Sequence, residues 1–351
     1  MRPFRTREDT VMPHVPSPRL TRRNLLAAGG VAGLGALVAA CGTNGGGSSD
    51  KATEPKAAGP WTFTDDRKQK VTLDAAPERV VAYIGTAAAL HDFGVDRIVG
   101  VFGPTVRKDG SPDVQAGDLD VTKVTVLGNA WGEFNIEKYA ALRPELLVTD
   151  MWEPGALWFV PDDSKDKILP LAPSIALNLT RVLLPESIER HAELAKALGA
   201  DLGAKKVTDA KVRFEAAADT LRQAAKAAGG LKVLAASASA DTLYVSDPAV
   251  YPDLSYFRSL GVDIIVPGRV TGGFFENLSW ENADKYPADL ILLDNRTSAL
   301  QPEALAAKPA WSQLPAVKAG RITPWLSEPR FSYAGCAPLI ESLAEAVKDA
   351  R

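Results

Sequence analysis

Between Pro185 and the Gly229-Gly230 pair, apolar residues recur at steps of three and four with no proline to interrupt them. The stretch is rich in Ala, Leu, Glu and Lys, all strong helix formers, and it predicts two helices in series. The first covers Glu186 to Leu198 and stops near Gly199. The second starts at an N-cap candidate, Asp201, and ends at the glycine pair. Val207, Ala210, Phe214, Ala217, Leu221, Ala224 and Ala228 place one narrow apolar stripe along it. A helix of roughly 28 residues spans about 42 Å, too long for a loop within one sheet. It reads as a strut joining two lobes, the alternative being a surface helix of one large domain.

On either side the period changes. Trp61 to Leu73 alternates loosely, as an edge hairpin does. Arg79–Ile84, Ile98–Val101, Leu146–Thr149 and Ile175–Leu179 are short, nearly continuous apolar runs, the pattern of strands buried on both faces. Helices are predicted over Thr86–Phe93 and Asn135–Leu142, and a short apolar piece at Ile168–Leu171. Beyond the strut, strands at Leu231–Ala236, Ile264–Val266, Leu290–Leu293 and Arg321–Thr323 alternate with helices at Leu254–Leu260, Glu281–Tyr286 and Pro338–Lys348. Strand–helix alternation makes each lobe α/β, Rossmann-like, with a mostly parallel sheet. The ligand cleft is then expected between the lobes, beyond the carboxyl ends of the strands.

The halves resemble each other. Gly94-Val95-Asp96 before one strand matches Gly261-Val262-Asp263 before another. Glu137 precedes Glu145-Leu146-Leu147-Val148-Thr149-Asp150 by the same spacing as Glu281 precedes Asp289-Leu290-Ile291-Leu292-Leu293-Asp294. Two matches in one order argue for a duplicated lobe.

The N-terminus is read differently. Six arginines precede a 16-residue Ala- and Gly-rich run, Leu25 to Ala40, too short to span a membrane. Thr21-Arg22-Arg23-Asn24-Leu25-Leu26 resembles a twin-arginine export motif, and Val38-Ala39-Ala40-Cys41-Gly42 resembles a bacterial lipobox. Residues 1–40 are thus an expected signal peptide and Cys41 the lipidated residue. Residues 41–60 are a flexible tether, 61–185 the N-terminal lobe, 186–229 the connecting helix and 230–351 the C-terminal lobe. The expected location is the outer face of the cell membrane, anchored but not spanning.

Composition narrows the function. The chain of 351 residues is 46% hydrophobic and nearly balanced in charge at −3, so nucleic acid is not an expected partner. Without residues 1–40 it carries 34 basic and 41 acidic side chains. A lone second cysteine, Cys336, forms no internal disulfide and is expected to pack as a small apolar residue. Only His91 and His191 lie beyond the signal, too few for a zinc or manganese receptor. No nucleophile elbow, P-loop or zincin motif is present, so an enzyme is not expected.

What is plentiful is aromatic and arginine residues just past strand ends. Trp131, Trp152, Trp158, Tyr244, Phe274 and Trp325 offer stiff, flat contact area, and Arg296 and Arg330 offer planar forks for oxygen anions. Tyr333 follows the last strand. The alternatives are core packing for the aromatics and solvated surface charge for the arginines.

The chain resembles the iron-siderophore and vitamin B12 class of periplasmic-type substrate-binding proteins of ABC importers. The resemblance rests on Pro77-Glu78-Arg79-Val80-Val81, Gly94 to Val101, Asn135-Ile136-Glu137 leading to Arg143-Pro144-Glu145-Leu146, the strut, and Ser279-Trp280-Glu281 leading to Ala288-Asp289-Leu290. It covers about residues 61 to 350. It implies two lobes joined by one long helix, with limited closure. It also implies that Glu137 and Glu281 dock onto arginines of the permease dimer, which works with its ATPase. Both are alternatively N-terminal helix acids favoured by the dipole. Trp131 holds the place of an aromatic that touches ligand in this class. Glu145 stands where the class usually has Asp. The expected ligand is a pre-formed Fe(III)-siderophore complex, so neither a cofactor nor a protein ligand to iron is needed. The expected receptor is monomeric. The alternatives are a cobalamin or haem receptor, for which Tyr83, Tyr244 and Tyr333 are axial candidates, or a sensor for a membrane kinase.

Overall fold

The computed structural model describes residues 59–350; the expected signal, Cys41 and nearly all of the tether lie outside them. The chain opens with an antiparallel hairpin, β1 (Trp61–Thr64) and β2 (Lys70–Leu73). A first sheet follows from β3 (Val80–Tyr83), β4 (Ile98–Phe102), β5 (Thr125–Val126), β6 (Leu146–Met151) and β7 (Ser174–Asn178). Its order is β5-β4-β3-β6-β7 and every neighbouring pair is parallel. Val80, Val81, Leu146, Leu147, Val148 and Ile175 are fully buried, as their unbroken apolar runs require. Helices α1 (Ile84–Asp92), α2 (Ile136–Ala141) and α3 (Lys165–Ile168) connect these strands.

Helix α4 (Leu184–Ala197) and helix α5 (Lys205–Ala228) occupy the expected connecting stretch. Gly199 closes the first at φ +96°, and Gly229 ends the second in the left-handed region at φ +59°, where a side chain would be strained. Helix α5 begins four residues after Asp201. That carboxylate instead accepts from the Gly203 N–H in a turn, and the helix is 24 residues long. Its stripe is buried at Val207, Phe214, Ala217, Leu221 and Ala224, and half-buried at Ala210 and Ala228.

The second sheet is built from β8 (Lys232–Ala238), β9 (Thr242–Ser246), β10 (Asp263–Ile264), β11 (Phe275–Ser279), β12 (Leu290–Asp294) and β13 (Ile322–Trp325). Helix α6 (Pro252–Ser259), the short helices α7 (Pro302–Leu305), α8 (Pro309–Gln313) and α9 (Pro315–Lys318), and the terminal α10 (Tyr333–Asp349) complete it. The order is β11-β9-β8-β12-β13, with β10 also on β8. Strands β8, β10, β12 and β13 pair in parallel, but β9 and β11 pair antiparallel.

Four local expectations change. The antiparallel β9–β11 edge replaces a loop. Residues 280–282 form a single 3₁₀ turn rather than a helix from Glu281 to Tyr286. Strand β10 ends at Ile264, and Val266 is half exposed. Helix α10 starts at Tyr333, five residues before Pro338, because the Ser332 hydroxyl caps it by accepting from the Gly335 N–H. The proline lies inside the helix.

Helix α10 lies along α5 and covers its stripe. Phe214 meets Tyr333 edge-on at 5.6 Å, and Arg213 pairs with Glu341 at 2.6 Å. Burying Phe214 and Leu221 contributes roughly 2 kcal/mol each. The strut is therefore one half of a helix pair.

The duplication is visible in the strand starts. Glu145 accepts from the Arg79 N–H at 3.2 Å, and Asp289 accepts from the Lys232 N–H at 2.9 Å. The reverse bonds, Glu145 N–H to the Arg79 carbonyl and Asp289 N–H to the Lys232 carbonyl, are both 2.9 Å. Gly94 and Gly261 share a φ of +97° and +98°. Each lobe also carries a buried carboxylate near the carboxyl end of the strand beside its middle one, Asp150 on β6 and Asp294 on β12.

Candidate binding cleft

A short segment after β13 carries the chain from the second sheet back to the first. Arg330 Nε donates to Asp92 at 2.8 Å, and the Ser332 hydroxyl donates to the same carboxylate. Phe331 stacks on the buried His191 ring at 5.5 Å. A Cβ at Gly117 would lie 2.0 Å from the Arg330 guanidinium, so only glycine leaves room for it. The lobes are thus joined both by the α4–α5 connection and by this strap.

Glu328, in the strap, is the hub of the cleft. It is 7% exposed. Its Oε2 accepts from Tyr83 Oη at 2.7 Å, Trp158 Nε1 at 3.1 Å and Gln115 Nε2 at 3.2 Å, all in the first lobe. Its Oε1 accepts from Arg296 of the second lobe. Burial, followed by the charge of Glu328, holds the Tyr83 phenol well above its ordinary pKa, so it stays a donor.

Around this hub lie two adjoining chambers. The outer, about 250 Å³, is lined by Trp152, Glu153, Trp158, Tyr251, Phe274, Phe275, Arg296 and Glu328. The inner, about 220 Å³, shares Tyr251, Phe275 and Arg296 and adds Ser237, Tyr244, Ser246, Asp294, Trp325 and Ser327. Most of these side chains lie at or just beyond strand ends, where a parallel sheet opens its crevice. The Arg296 guanidinium is gripped by Asp294 through Nε at 3.1 Å and Nη2 at 2.7 Å. Burial works against its charge, but Glu328 and Asp294 prevail and raise its pKa.

The aromatic wall is continuous. Trp158 packs 6.2 Å from Trp152, which packs 5.8 Å from Tyr251. Trp131 stands at the rim, 64% exposed, edge-on to Trp158 at 4.9 Å and to Phe159 at 5.0 Å. Phe159 holds φ +59°, costly for an aromatic residue and typical of functional sites. Trp325 does not lie past the last strand: it is the final residue of β13, is 3% exposed, and donates Nε1 to the buried Asp253 at 2.6 Å.

The structure therefore brings Trp131, Trp152, Trp158, Tyr244, Phe274, Arg296 and Trp325 to one cleft or its rim. Arg330 and Tyr333 lie elsewhere. Arg330 is held in the strap by Asp92, and Tyr333 sits in the first turn of α10 against Phe93 and Phe214. Tyr251 and Glu328 were not foreseen. Glu137 and Glu281 are exposed, one in the first turn of α2 and one in the 3₁₀ turn after β11. Cys336 is fully buried in α10, and burial pushes its thiol pKa up. Among the described residues, no helix is long and apolar enough to cross a membrane, and no group of three or more His, Cys, Asp or Glu is placed to hold a metal ion.

Known proteins agree with this architecture. A family model described as periplasmic binding protein matches residues 81–328. No curated protein sequence matches. Among solved structures, the chain is similar to DesE, a ferric-siderophore receptor protein from Streptomyces coelicolor, at 54% identity and a TM-score of 0.80, over 83% of this chain and 98% of that one. The petrobactin-binding protein YclQ from Bacillus subtilis shares the fold at 18% identity and a TM-score of 0.61, over 84% and 99% of the two chains. So does the catecholate-siderophore binding protein VctP from Vibrio cholerae, at 18% and 0.55, over 83% and 98%. The chain belongs to the periplasmic binding protein family, in its iron-siderophore and vitamin B12 class.

Proposed function

We propose that this protein captures a ferric siderophore outside the cytoplasm and delivers it to an ABC permease for iron uptake. One observation carries the reading: an aromatic-walled cleft with a single guanidinium, on a chain 54% identical to a ferric-siderophore receptor. A siderophore already fills the coordination of Fe(III) with oxygens. The receptor then needs only flat apolar contact and a few donors, which Trp152, Trp158, Phe274 and Arg296 supply. Trp131 would cover the bound complex from the rim.

Delivery would use the exposed Glu137 and Glu281, one per lobe, as acidic contacts for the permease. Anchoring would come from lipid on Cys41 after export. Cys41→Ser is expected to release the protein into the medium. Retention of that variant at the membrane would remove the lipid anchor.

Intrinsic Trp fluorescence tests capture directly, because three tryptophans border the outer chamber or its rim. Titration with a panel of ferric chelates should quench emission selectively, with the iron-free chelators weaker. If no ferric complex quenches, the proposal fails.

A further inference from the structure

The charges lining the cleft do not balance. Its two chambers hold three carboxylates, Glu153, Asp294 and Glu328, against one cation, Arg296. That cation is already engaged: Asp294 accepts from Nε and Nη2, and Glu328 accepts from Nη1. No lysine and no second arginine lines either chamber. Arg330, the other strap-side guanidinium, is turned away onto Asp92 and Asp118.

Glu328 is placed as a deliberate counter-charge. Tyr83, Gln115 and Trp158 aim donors at its Oε2, so its carboxylate cannot swing away from Arg296 without leaving the Tyr83 hydroxyl and the Trp158 indole N–H unpaired. A ligand with excess negative charge would meet a partly desolvated, net negative wall, and like charges so placed repel.

Resting on the capture reading above, we propose that Glu328 is a specificity-determining residue. By neutralising Arg296 it restricts the cleft to ferric chelates without net negative charge. Chelate chemistry supplies the contrast. Three hydroxamates balance Fe(III) and give a neutral complex, whereas three catecholates leave it triply negative.

The test measures binding of two hexadentate probes, a neutral ferric trihydroxamate and a triply negative ferric tricatecholate, to the wild-type protein, Glu328→Gln and Glu153→Gln. The wild type should favour the neutral complex by at least about a hundredfold. Glu328→Gln should narrow that ratio by roughly tenfold or more. Glu153→Gln, at an exposed position that leaves folding intact, should narrow it by a smaller factor. Lower discrimination by the wild type at high salt would agree. Equal or tighter wild-type binding of the tricatecholate overturns the inference, as does a ratio unmoved by both substitutions. If neither ferric complex binds, the capture reading fails, and this inference with it.

Discussion

Asp253 offers a quantitative check on the ground beneath the cleft. It lies in the first turn of α6, 1% exposed. Its Oδ2 accepts the Trp325 Nε1–H at 2.6 Å, and its Oδ1 has no partner. Burial raises its pKa from 3.8 to about 6, against the lowering effect of the Trp325 bond. The folded protein therefore binds this proton more tightly than the unfolded chain. Stability from this group is fully present below about pH 3.8, falls as pH rises to about 6, and stays low above that. A shift of roughly two units corresponds to a cost of about 3 kcal/mol near neutrality. Asp253→Asn keeps an oxygen for Trp325 and removes the charge. Denaturant unfolding of both proteins at pH 7.5 and pH 4 should show the variant gaining about 2 kcal/mol relative to wild type between the acid and neutral measurements. Taking the difference between pH values cancels any penalty from the amide's own unpaired donor. A stability difference that does not change with pH would refute the reasoning.

The remaining predictions concern the rim, the strap and delivery. Trp131→Ala should leave the melting temperature nearly unchanged, since the ring is 64% exposed, while weakening ferric-siderophore affinity by roughly three- to tenfold in fluorescence titration. Arg330→Ala leaves the buried Asp92 without its cation and should destabilise by about 3 kcal/mol, a fall of several degrees by calorimetry. Glu137→Ala combined with Glu281→Ala should spare capture but impair radio-iron uptake by whole cells; normal uptake would remove the docking role.

The parts of the fold that were legible share a physical cause. Strands such as Val80–Tyr83 and Leu290–Asp294 are buried on both faces, so their residues are apolar without a break. Helix α5 announces itself through its stripe and its terminal glycine. The β9–β11 edge did not, because Thr242–Ser246 and Phe275–Ser279 are five residues each and lie beside Gly- or Asp-containing turns. The start of α10 was hidden because Pro338 looks like a first-turn residue; that error placed Tyr333 in a loop near the cleft. In the site, aromatic residues past strand ends were readable as ligand-facing candidates. Glu328 was not. An acid in Ser327-Glu328-Pro329 reads as a solvated loop charge, and its partners Tyr83 and Gln115 are more than 200 residues away in sequence.

The strap also bears on how the gene could be rearranged. Because Glu328, Arg330 and Phe331 are seated among first-lobe residues, breaking the backbone between α4 and α5 would not set two independent modules free. An N-terminal fragment produced alone would expose a furrow shaped for residues 328–332, and would fold best when the other fragment is supplied alongside it.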